Sequence, residues 1–365
     1  MKKVLEVNID DLNSGGVFAL VKNIVENKKD DCRIDIASIE GFRNRDNLEF
    51  FLKKGSEVYY VGNTNNKILK QFQVYKKLKK IIEKHEYENV HIHGDTSNKL
   101  LVSGLAAKKG GVKNIILHSH ASDVDGNHRI LKKICHVVCK PFLKILDAKF
   151  VACSDLAARW MYGTSPYIMI NNGVDLNKFR YNEQQRLISR QELEIGDEIL
   201  IGNVGRFAYQ KNHDFILKIA EAMNQLPIQY KIILIGSGEL EEKIRCKAER
   251  LKLKNVLFLG NSDSVEKLFQ AMDVFILPSH FEGLPLVGIE AQTSGLPVIF
   301  SNKITKEAAI TNSCSYLSIE ENSVQLWVEK IIEYSHLRRT DTYDVIKKNG
   351  FDILDTVSKI CDLYN

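Results

Sequence analysis

The chain of 365 residues has a formal net charge of +5, and its 44% hydrophobic and 27% charged residues exclude a disordered or multispanning membrane protein. No apolar run approaches the roughly 18 residues that span a bilayer. Residues 1–180 carry 30 Lys and Arg against 20 Asp and Glu, whereas residues 181–365 carry 21 against 26, which suggests two domains with different partners.

The first stretch, MKKVLEVNIDDL, predicts a strand rather than a signal peptide, because Glu6, Asn8 and Asp10 interrupt its apolar run. The seven cysteines are scattered along the chain without a paired framework, as expected in a reducing compartment. We therefore expect a cytoplasmic protein.

Short apolar runs alternate with helical patterns along the chain and form two series of predicted strands. The first series covers residues 3–9, 34–39, 58–61, 90–93, 115–118, 149–152 and 167–170, and the second covers 199–204, 230–235, 256–259, 274–277 and 298–300. Many runs are continuously β-branched, which is typical of strands buried on both faces. The alternation predicts an α/β fold with two doubly wound, Rossmann-like domains.

The predicted domains comprise residues 1–175 and 176–345, followed by a last helical segment over 346–365. Ligands of open α/β sheets bind beyond the carboxyl ends of the strands, so we expect the site in a cleft between the two domains.

Two strand-to-helix loops have the chemistry of a phosphate site. Gly15 and Gly16 follow the first strand and let a backbone turn approach a phosphate closely, although a tight turn without a ligand explains them equally well. Arg206 and Lys211 lie in one later loop and together can neutralise a diphosphate. Solvated surface charge is the alternative for this pair.

The stretch FEGLPLVGIE, residues 281–290, places an acid on each side of a predicted helix start. Pro285 suits the first helical turn, so Glu282 precedes the helix and Glu290 lies roughly 7.5 Å along its axis. Between them lie free backbone N–H groups that attract phosphate. Two acids that accept hydrogen bonds from hydroxyls, with phosphate between them, predict a nucleotide-sugar site.

Five further segments carry a family resemblance: GRFAYQKNHDF, LIGSGEL, LFLG, NNGVDLNKF and SGGV. Together with PSHFEGLPLVGIEAQTSGLPV they make the chain resemble glycosyltransferase family 4, retaining enzymes of the GT-B fold. Within that family the chain is similar to bacterial transferases that assemble capsular or extracellular polysaccharide. The matching motifs run from about residue 4 to 302.

The resemblance implies a role for each matching position. Arg206 and Lys211 bind the donor diphosphate and stabilise the leaving group, while Glu282 holds sugar hydroxyls and Glu290 the ribose. The backbone of Gly283 and Leu284 would contact phosphate or sugar, and Gly15 and Gly16 would face the diphosphate from the other domain. His120 would contact the sugar, with His118 as the competing candidate.

The resemblance also implies the reaction. The enzyme would move a hexose or N-acetylhexosamine from a nucleoside-diphosphate sugar, with UDP as the expected carrier, to a saccharide acceptor that is lipid-linked. It would retain the anomeric configuration without a metal ion, since two cations already oppose the diphosphate charge. The last helix would cross back to the first domain.

Three alternatives remain open. Asp123-Val124-Asp125 spells the metal-binding acid pair of the other large transferase fold, but the two series of strands oppose that fold. A nucleotide-sugar epimerase of GT-B-like fold is a second alternative. A non-catalytic subunit that binds a nucleotide sugar is a third.

Two lysine-rich segments, residues 67–84 and 129–149, predict helices with an apolar stripe. The stripes comprise Ile68, Phe72, Tyr75, Leu78 and Ile82 in the first segment, and Ile130, Ile134, Val138, Phe142 and Ile145 in the second. They either face the core or attach the first domain to an anionic membrane surface. Nucleic-acid binding is not expected, because no recognisable module is present.

Overall fold

The computed structural model describes residues 2–11, 16–29, 31–62, 67–125 and 128–365. The chain divides into two compact units: unit 1 comprises Met1–Gly173 and Ile353–Asn365, and unit 2 comprises Val174–Asp352. The division after residue 173 lies two residues before the boundary expected from the sequence.

Unit 1 is built on a sheet of seven parallel strands in the order β3-β2-β1-β4-β5-β6-β7. The strands are β1 (Lys2–Val7), β2 (Cys32–Ser38), β3 (Val58–Tyr60), β4 (Asn89–Gly94), β5 (Asn114–Ser119), β6 (Lys149–Ala152) and β7 (Ile168–Met169). The helices of this segment are α1 (Gly16–Asn27), α2 (Arg45–Lys53), α3 (Lys67–His85), α4 (Ser97–Lys109), α5 (Arg129–Cys139) and α6 (Asp155–Tyr162). Helix α5 ends just before Pro141 and continues as a 3-10 segment, Lys140–Leu146, as the proline predicts.

Unit 2 is built on a sheet of six parallel strands in the order β10-β9-β8-β11-β12-β13. The strands are β8 (Ile199–Val204), β9 (Tyr230–Ile235), β10 (Val256–Gly260), β11 (Val274–Leu277), β12 (Val298–Ser301) and β13 (Cys314–Leu317). Its helices are α7 (Leu176–Phe179), α8 (Glu183–Glu192), α9 (His213–Met223), α10 (Glu241–Arg250), α11 (Val265–Ala271), α12 (Leu286–Thr293), α13 (Val324–Ser335) and α14 (Tyr343–Lys348). Strand β13, whose four residues are only partly buried, was not predicted from the sequence.

The last helix, α15 (Ile353–Leu363), belongs to unit 1 and packs against α1. It begins at residue 353 rather than 346, because Gly350 at φ 78° ends α14 and its N–H bonds to the carbonyl of Lys347. Val357 and Ile360 join the core of unit 1. Leu354 of the same helix is 55% exposed.

Each sheet reverses its strand order at one point, between β1 and β4 in unit 1 and between β8 and β11 in unit 2. Loops that leave neighbouring strands in opposite directions open a crevice at that point of a parallel sheet. The candidate site residues follow these strands. In the described part of the chain, no helix has both the length and the apolar character that crossing a bilayer requires.

Candidate functional site

The centre of the site in unit 2 is an ion pair between Lys211 and Glu282. Lys211 Nζ lies 2.7 Å from Glu282 Oε1, and the two side chains are only 13% and 8% exposed. Lys211 comes from the loop after β8 and Glu282 from the loop after β11, so the strand reversal brings them together. The lysine predicted to bind the diphosphate and the acid predicted to bind the sugar hydroxyls therefore lie in direct contact.

Two further side chains hold the Glu282 carboxylate in place. Ser279 Oγ donates to Oε1 at 2.9 Å, and Gln210 Nε2 donates to Oε2 at 2.9 Å. The sequence analysis assigned no role to either residue. The sequence offered only their positions as an indication: Ser279 comes just after a strand, and Gln210 lies beside Lys211.

Glycines clear the space that these loops need. A Cβ at Gly205 would lie 2.8 Å from Lys211 Cε, so a larger residue there would displace the lysine stem. Gly236, at φ 134°, brings the loop after β9 so near that a Cβ would lie 2.3 Å from the Gly205 carbonyl oxygen. Arg206 follows Gly205 in the chain, and the N–H of the next residue, Phe207, donates to Ser237 O at 3.0 Å.

Helix α12 begins immediately after the Glu282 loop. Pro285 caps it without a side-chain hydrogen bond, and its first turn carries no acid, so the helix dipole favours an anion at this end. Glu290 lies on the fifth residue of the helix and is partly buried. Burial raises the pKa of Glu290 to about 7, against the lowering effect of Lys178 and Lys211.

The remaining predicted positions of unit 2 lie in the same loop. Gly283 and Leu284 are both buried between Glu282 and the helix start. The imidazole of His280 stacks on Tyr209 with ring centroids 4.3 Å apart, and its backbone N–H donates to Gln210 O at 2.8 Å. These contacts fasten the loop after β11 to the loop after β8.

Unit 1 has a different cluster at its own strand reversal, where histidines of β4 and β5 meet Glu6 of β1. His93 Nε2 lies 2.7 Å from Glu6 Oε2, and His93 Nδ1 lies 2.8 Å from His120 Nε2. His120 is partly exposed, whereas His118 is fully buried within β5. Of the two competing histidines, only His120 is partly exposed.

The other side of this cluster is closed. His91 Nδ1 lies 3.3 Å from Glu6 Oε1, His91 Nε2 lies 3.1 Å from His118 Nδ1, and Tyr364 Oη donates to Glu6 Oε1 at 2.5 Å. Glu6 is completely buried. Burial alone would raise the pKa of Glu6, but His91 and His93 hold this pKa below its usual range.

One ring nitrogen from each of His91, His93 and His118 lies within 4.8 Å of the others, which is close enough for the three to ligate one metal ion. The hydrogen bonds within the cluster already engage both nitrogens of His91 and of His93. The geometry is therefore that of a hydrogen-bonded network. The sequence analysis missed Glu6, His91 and His93, although two His-X-His patterns in neighbouring strands were visible.

Two other predictions concern unit 1. Gly16 is the first residue of α1, whose first turn carries no acid, while Gly15 lies outside the described residues. Asp123, proposed as part of an acid pair for a metal, lies 2.9 Å from Lys133 Nζ and 3.4 Å from Arg129. Its charge is met by side chains of α5.

Comparison with known families gives two matches that lie one after the other. The family Glycosyl transferase 4-like matches residues 17–146, and the family Glycosyl transferases group 1 matches residues 184–352. The second match includes Arg206, Lys211, Glu282 and Glu290.

Two curated relatives cover most of the chain. EpsF of Bacillus subtilis (strain 168) is 29% identical over 100% of this chain and 96% of its own length. A UDP-Gal:α-D-GlcNAc-diphosphoundecaprenol α-1,3-galactosyltransferase of Escherichia coli is 26% identical over 82% of this chain and 81% of its own length.

The solved structure of HepE from Anabaena, in complex with UDP and glucose, aligns with a TM-score of 0.78 at 17% identity over 99% of both chains. At this identity the likeness concerns the fold. The predicted GT-B class, two α/β units with parallel sheets, is confirmed. The alternative transferase fold suggested by Asp123-Val124-Asp125 is therefore wrong.

Proposed function

Since the chain belongs to the group 1 glycosyltransferases, we propose that it moves a hexose or N-acetylhexosamine from a UDP-sugar to a lipid-linked saccharide. The transfer retains the anomeric configuration and serves the synthesis of a capsular or extracellular polysaccharide. Support for donor and acceptor comes from the E. coli relative, whose name specifies UDP-galactose and a diphosphoundecaprenol-linked sugar.

The observation that carries this proposal is the buried Lys211–Glu282 ion pair at the strand reversal of unit 2. A buried ion pair gains little stability over apolar packing, because desolvation offsets much of its attraction. Its value here is preorganisation: the cation and the acid are fixed before a ligand arrives. A donor sugar bound there would meet Glu282 with its hydroxyls and Lys211 with its phosphates.

In the proposed reaction, the bond between the anomeric carbon and the diphosphate breaks, and negative charge grows on the leaving group. Lys211, Arg206 and the N-terminal end of α12 oppose that charge. Glu282 accepts hydrogen bonds from sugar hydroxyls, Glu290 from the ribose, and the backbone of Gly283 and Leu284 orients the ligand. The acceptor hydroxyl attacks the same face and passes its proton to the diphosphate, so no enzymic nucleophile is required.

Metal independence is part of the proposal, because two cations and a helix end would oppose the diphosphate charge without a metal ion. His120 is proposed to contact the sugar from unit 1, and Gly15 and Gly16 to contact the diphosphate. These assignments rest on the family resemblance of the motifs.

The test is transfer of a labelled sugar by the purified chain, with a panel of nucleotide sugars and diphosphate-linked lipid saccharides, with and without EDTA. The expected result is elongation of one acceptor by one sugar, unaffected by EDTA. Conversion of the donor into its epimer without any acceptor would instead establish the epimerase alternative. Donor binding without any turnover would favour the non-catalytic subunit.

A membrane surface is the second part of the proposal, and the segment of residues 129–146 carries it. Its whole predicted apolar stripe is exposed: Ile130 at 79%, Ile134 at 55%, Val138 at 59%, Phe142 at 51% and Ile145 at 53%. The core-facing alternative is therefore wrong for this stripe. In α3 it is correct for Leu78 and Ile82, which are buried, but not for the exposed Phe72.

Four lysines, Lys132, Lys133, Lys140 and Lys144, are interspersed with this apolar stripe. An exposed apolar face among cations fits the boundary of an anionic bilayer, where a lipid-linked acceptor would lie. We propose that unit 1 binds the cytoplasmic face of the membrane through this segment.

Sedimentation with phosphatidylglycerol vesicles tests the surface. Ile130→Ser combined with Ile134→Ser should lower vesicle binding at least about tenfold, because each substitution removes an apolar side chain that the bilayer would bury. Leu326→Ser, at an exposed leucine of unit 2, is the matched control and should bind normally. Equal binding by the double variant would exclude this surface.

A further inference from the structure

The cluster at the strand reversal of unit 1 forms a chain of hydrogen bonds that ends on His120. We propose that Glu6, acting through His93, is a positioning residue that keeps His120 protonated on Nε2 and unprotonated on Nδ1. Nδ1 can then accept a hydrogen bond from a hydroxyl of the donor sugar. The inference rests on the proposed function for the identity of that hydroxyl. The protonation pattern itself depends only on unit 1.

The Glu6 carboxylate is ionised and can therefore only accept hydrogen bonds. Its Oε2 lies 2.7 Å from His93 Nε2, so that nitrogen carries the proton and donates. Neutral His93 then has a bare Nδ1. His120 Nε2 lies 2.8 Å from this Nδ1 and must be the donor, which leaves His120 Nδ1 bare.

The surroundings keep these rings neutral. Burial and the neighbouring His91 lower the pKa of His93 to about 4. Burial, together with His93 and His91, lowers the pKa of His120 well below its ordinary value. At neutral pH each ring carries a single proton, so the direction of the two hydrogen bonds decides where that proton lies.

The free end of the chain is suitable for a ligand. Asn172 Nδ2 lies 3.4 Å from His120 Nδ1, a long contact that leaves this nitrogen able to accept a shorter bond. His120 is also the member of the histidine cluster that is partly exposed, whereas Glu6, His91 and His118 are fully buried. A buried carboxylate that orients an imidazole follows the same logic as the third member of a hydrolase triad.

Glu6→Gln breaks this logic at one atom. Glu6 accepts from both Tyr364 and His93, whereas glutamine offers one carbonyl oxygen and one amino group. One of the two donors must then reverse, and the tautomer of His93 depends on which atom of the amide faces it. Tyr364→Phe is the matched control, because it removes a hydrogen bond from the same carboxylate but leaves Oε2 and His93 unchanged.

The first readout is nitrogen NMR of the full chain labelled only in its ten histidines. Two-bond proton–nitrogen correlations distinguish a protonated from a bare ring nitrogen, and the His120→Asn variant assigns the signals of His120. The expected wild-type result is one tautomer, protonated at Nε2. Protonation at Nδ1, a mixture of tautomers, or a change of these signals on adding EDTA would overturn the proposal.

The second readout is kinetic. Glu6→Gln should lower kcat at least about tenfold and leave the donor KM within about twofold, while Tyr364→Phe leaves both nearly unchanged. An unchanged kcat in a folded Glu6→Gln protein would overturn the positioning role. Absence of transfer by the wild-type chain would reject the proposed function. The NMR measurement of the His120 tautomer would still test the hydrogen-bond chain, because it does not depend on transfer.

Discussion

The two strand reversals of this molecule hold opposite kinds of polar cluster. In unit 2, Lys211 and Glu282 come from two short loops that are continuous with recognisable sequence motifs. In unit 1, Glu6 of β1 takes its partners from two other segments, with His91 and His93 in β4 and Tyr364 near the end of the chain. The same topology therefore yields one site encoded locally and one assembled by long-range contacts.

This difference predicts where a truncation acts. Removing residues 353–365 deletes Val357 and Ile360 from the core of unit 1 and Tyr364 from Glu6, whereas the core of unit 2 includes no residue of that segment. The expected effect is the largest in this set: loss of amide-exchange protection in β1 and α1, with β8 and β11 still protected. Hydrogen exchange measured by mass spectrometry checks this.

Equal protection of both units after truncation would show that α15 is dispensable for unit 1. A shorter deletion, of Tyr364 and Asn365 alone, is the control that leaves the apolar face of α15 in place. It should weaken protection around Glu6 and leave that of α1 nearly intact.

The second prediction concerns the charge of the local site. Lys211→Ala should lower transfer at least about 10³-fold, because it removes a cation from the developing diphosphate charge and removes the cationic partner of Glu282. Steady-state kinetics measure this. Lys218→Ala breaks another Lys–Glu pair of unit 2, with the more exposed Glu321, and should retain full activity. Similar losses in both variants would mean that Lys211 has no special role.

The third prediction is a pH dependence at Glu290. Burial raises its pKa to about 7, so its neutral form stabilises the folded state below about pH 4.5, and that contribution is lost as the pH rises through 7. Glu290→Gln cannot ionise and should gain stability relative to wild type between pH 5 and pH 8, by up to about 3 kcal/mol at about 1.4 kcal/mol per pH unit. Thermal or urea unfolding at both pH values measures the difference. A gap independent of pH would show that Glu290 titrates normally.

The smallest effect compares two tyrosine hydroxyls. Tyr364→Phe removes a bond to a buried carboxylate and should cost about 2 kcal/mol in the free energy of unfolding. Tyr316→Phe removes a bond to the neutral carbonyl of Thr305 and should cost about 1 kcal/mol. Urea unfolding resolves the two, and an equal cost would argue that Glu6 is not charged in the folded protein.

How far the sequence predicted these features follows the same division. The parallel strands, the break near residue 175 and the choice of Lys211 and Glu282 as candidate site residues came from local patterns, because apolar runs and loop motifs are read within a few residues. The cluster around Glu6 could not be predicted in this way. Its members are brought together by strand order and by a helix that lies more than 340 residues from Glu6 in the sequence.

Exposure was the other feature that pattern alone left open. A stripe of isoleucines and valines on one helical face is compatible with a core or with a surface, and only packing decides between them. In α3, Leu78 and Ile82 pack inward, whereas in α5 the residues at equivalent spacing are exposed. Likewise, the sequence did not distinguish His118 from His120, since burial within β5 separates them.

The most direct test of the account is sugar transfer by the wild-type chain and by Glu282→Gln, with a UDP-hexose and a diphosphate-linked lipid saccharide, followed by mass spectrometry of the lipid product. We predict an acceptor heavier by one sugar with the wild-type chain and none with the variant, at equal folding. Transfer by Glu282→Gln at the wild-type rate would contradict the proposed donor site, and absence of any product across the full donor and acceptor panel would contradict the proposed function.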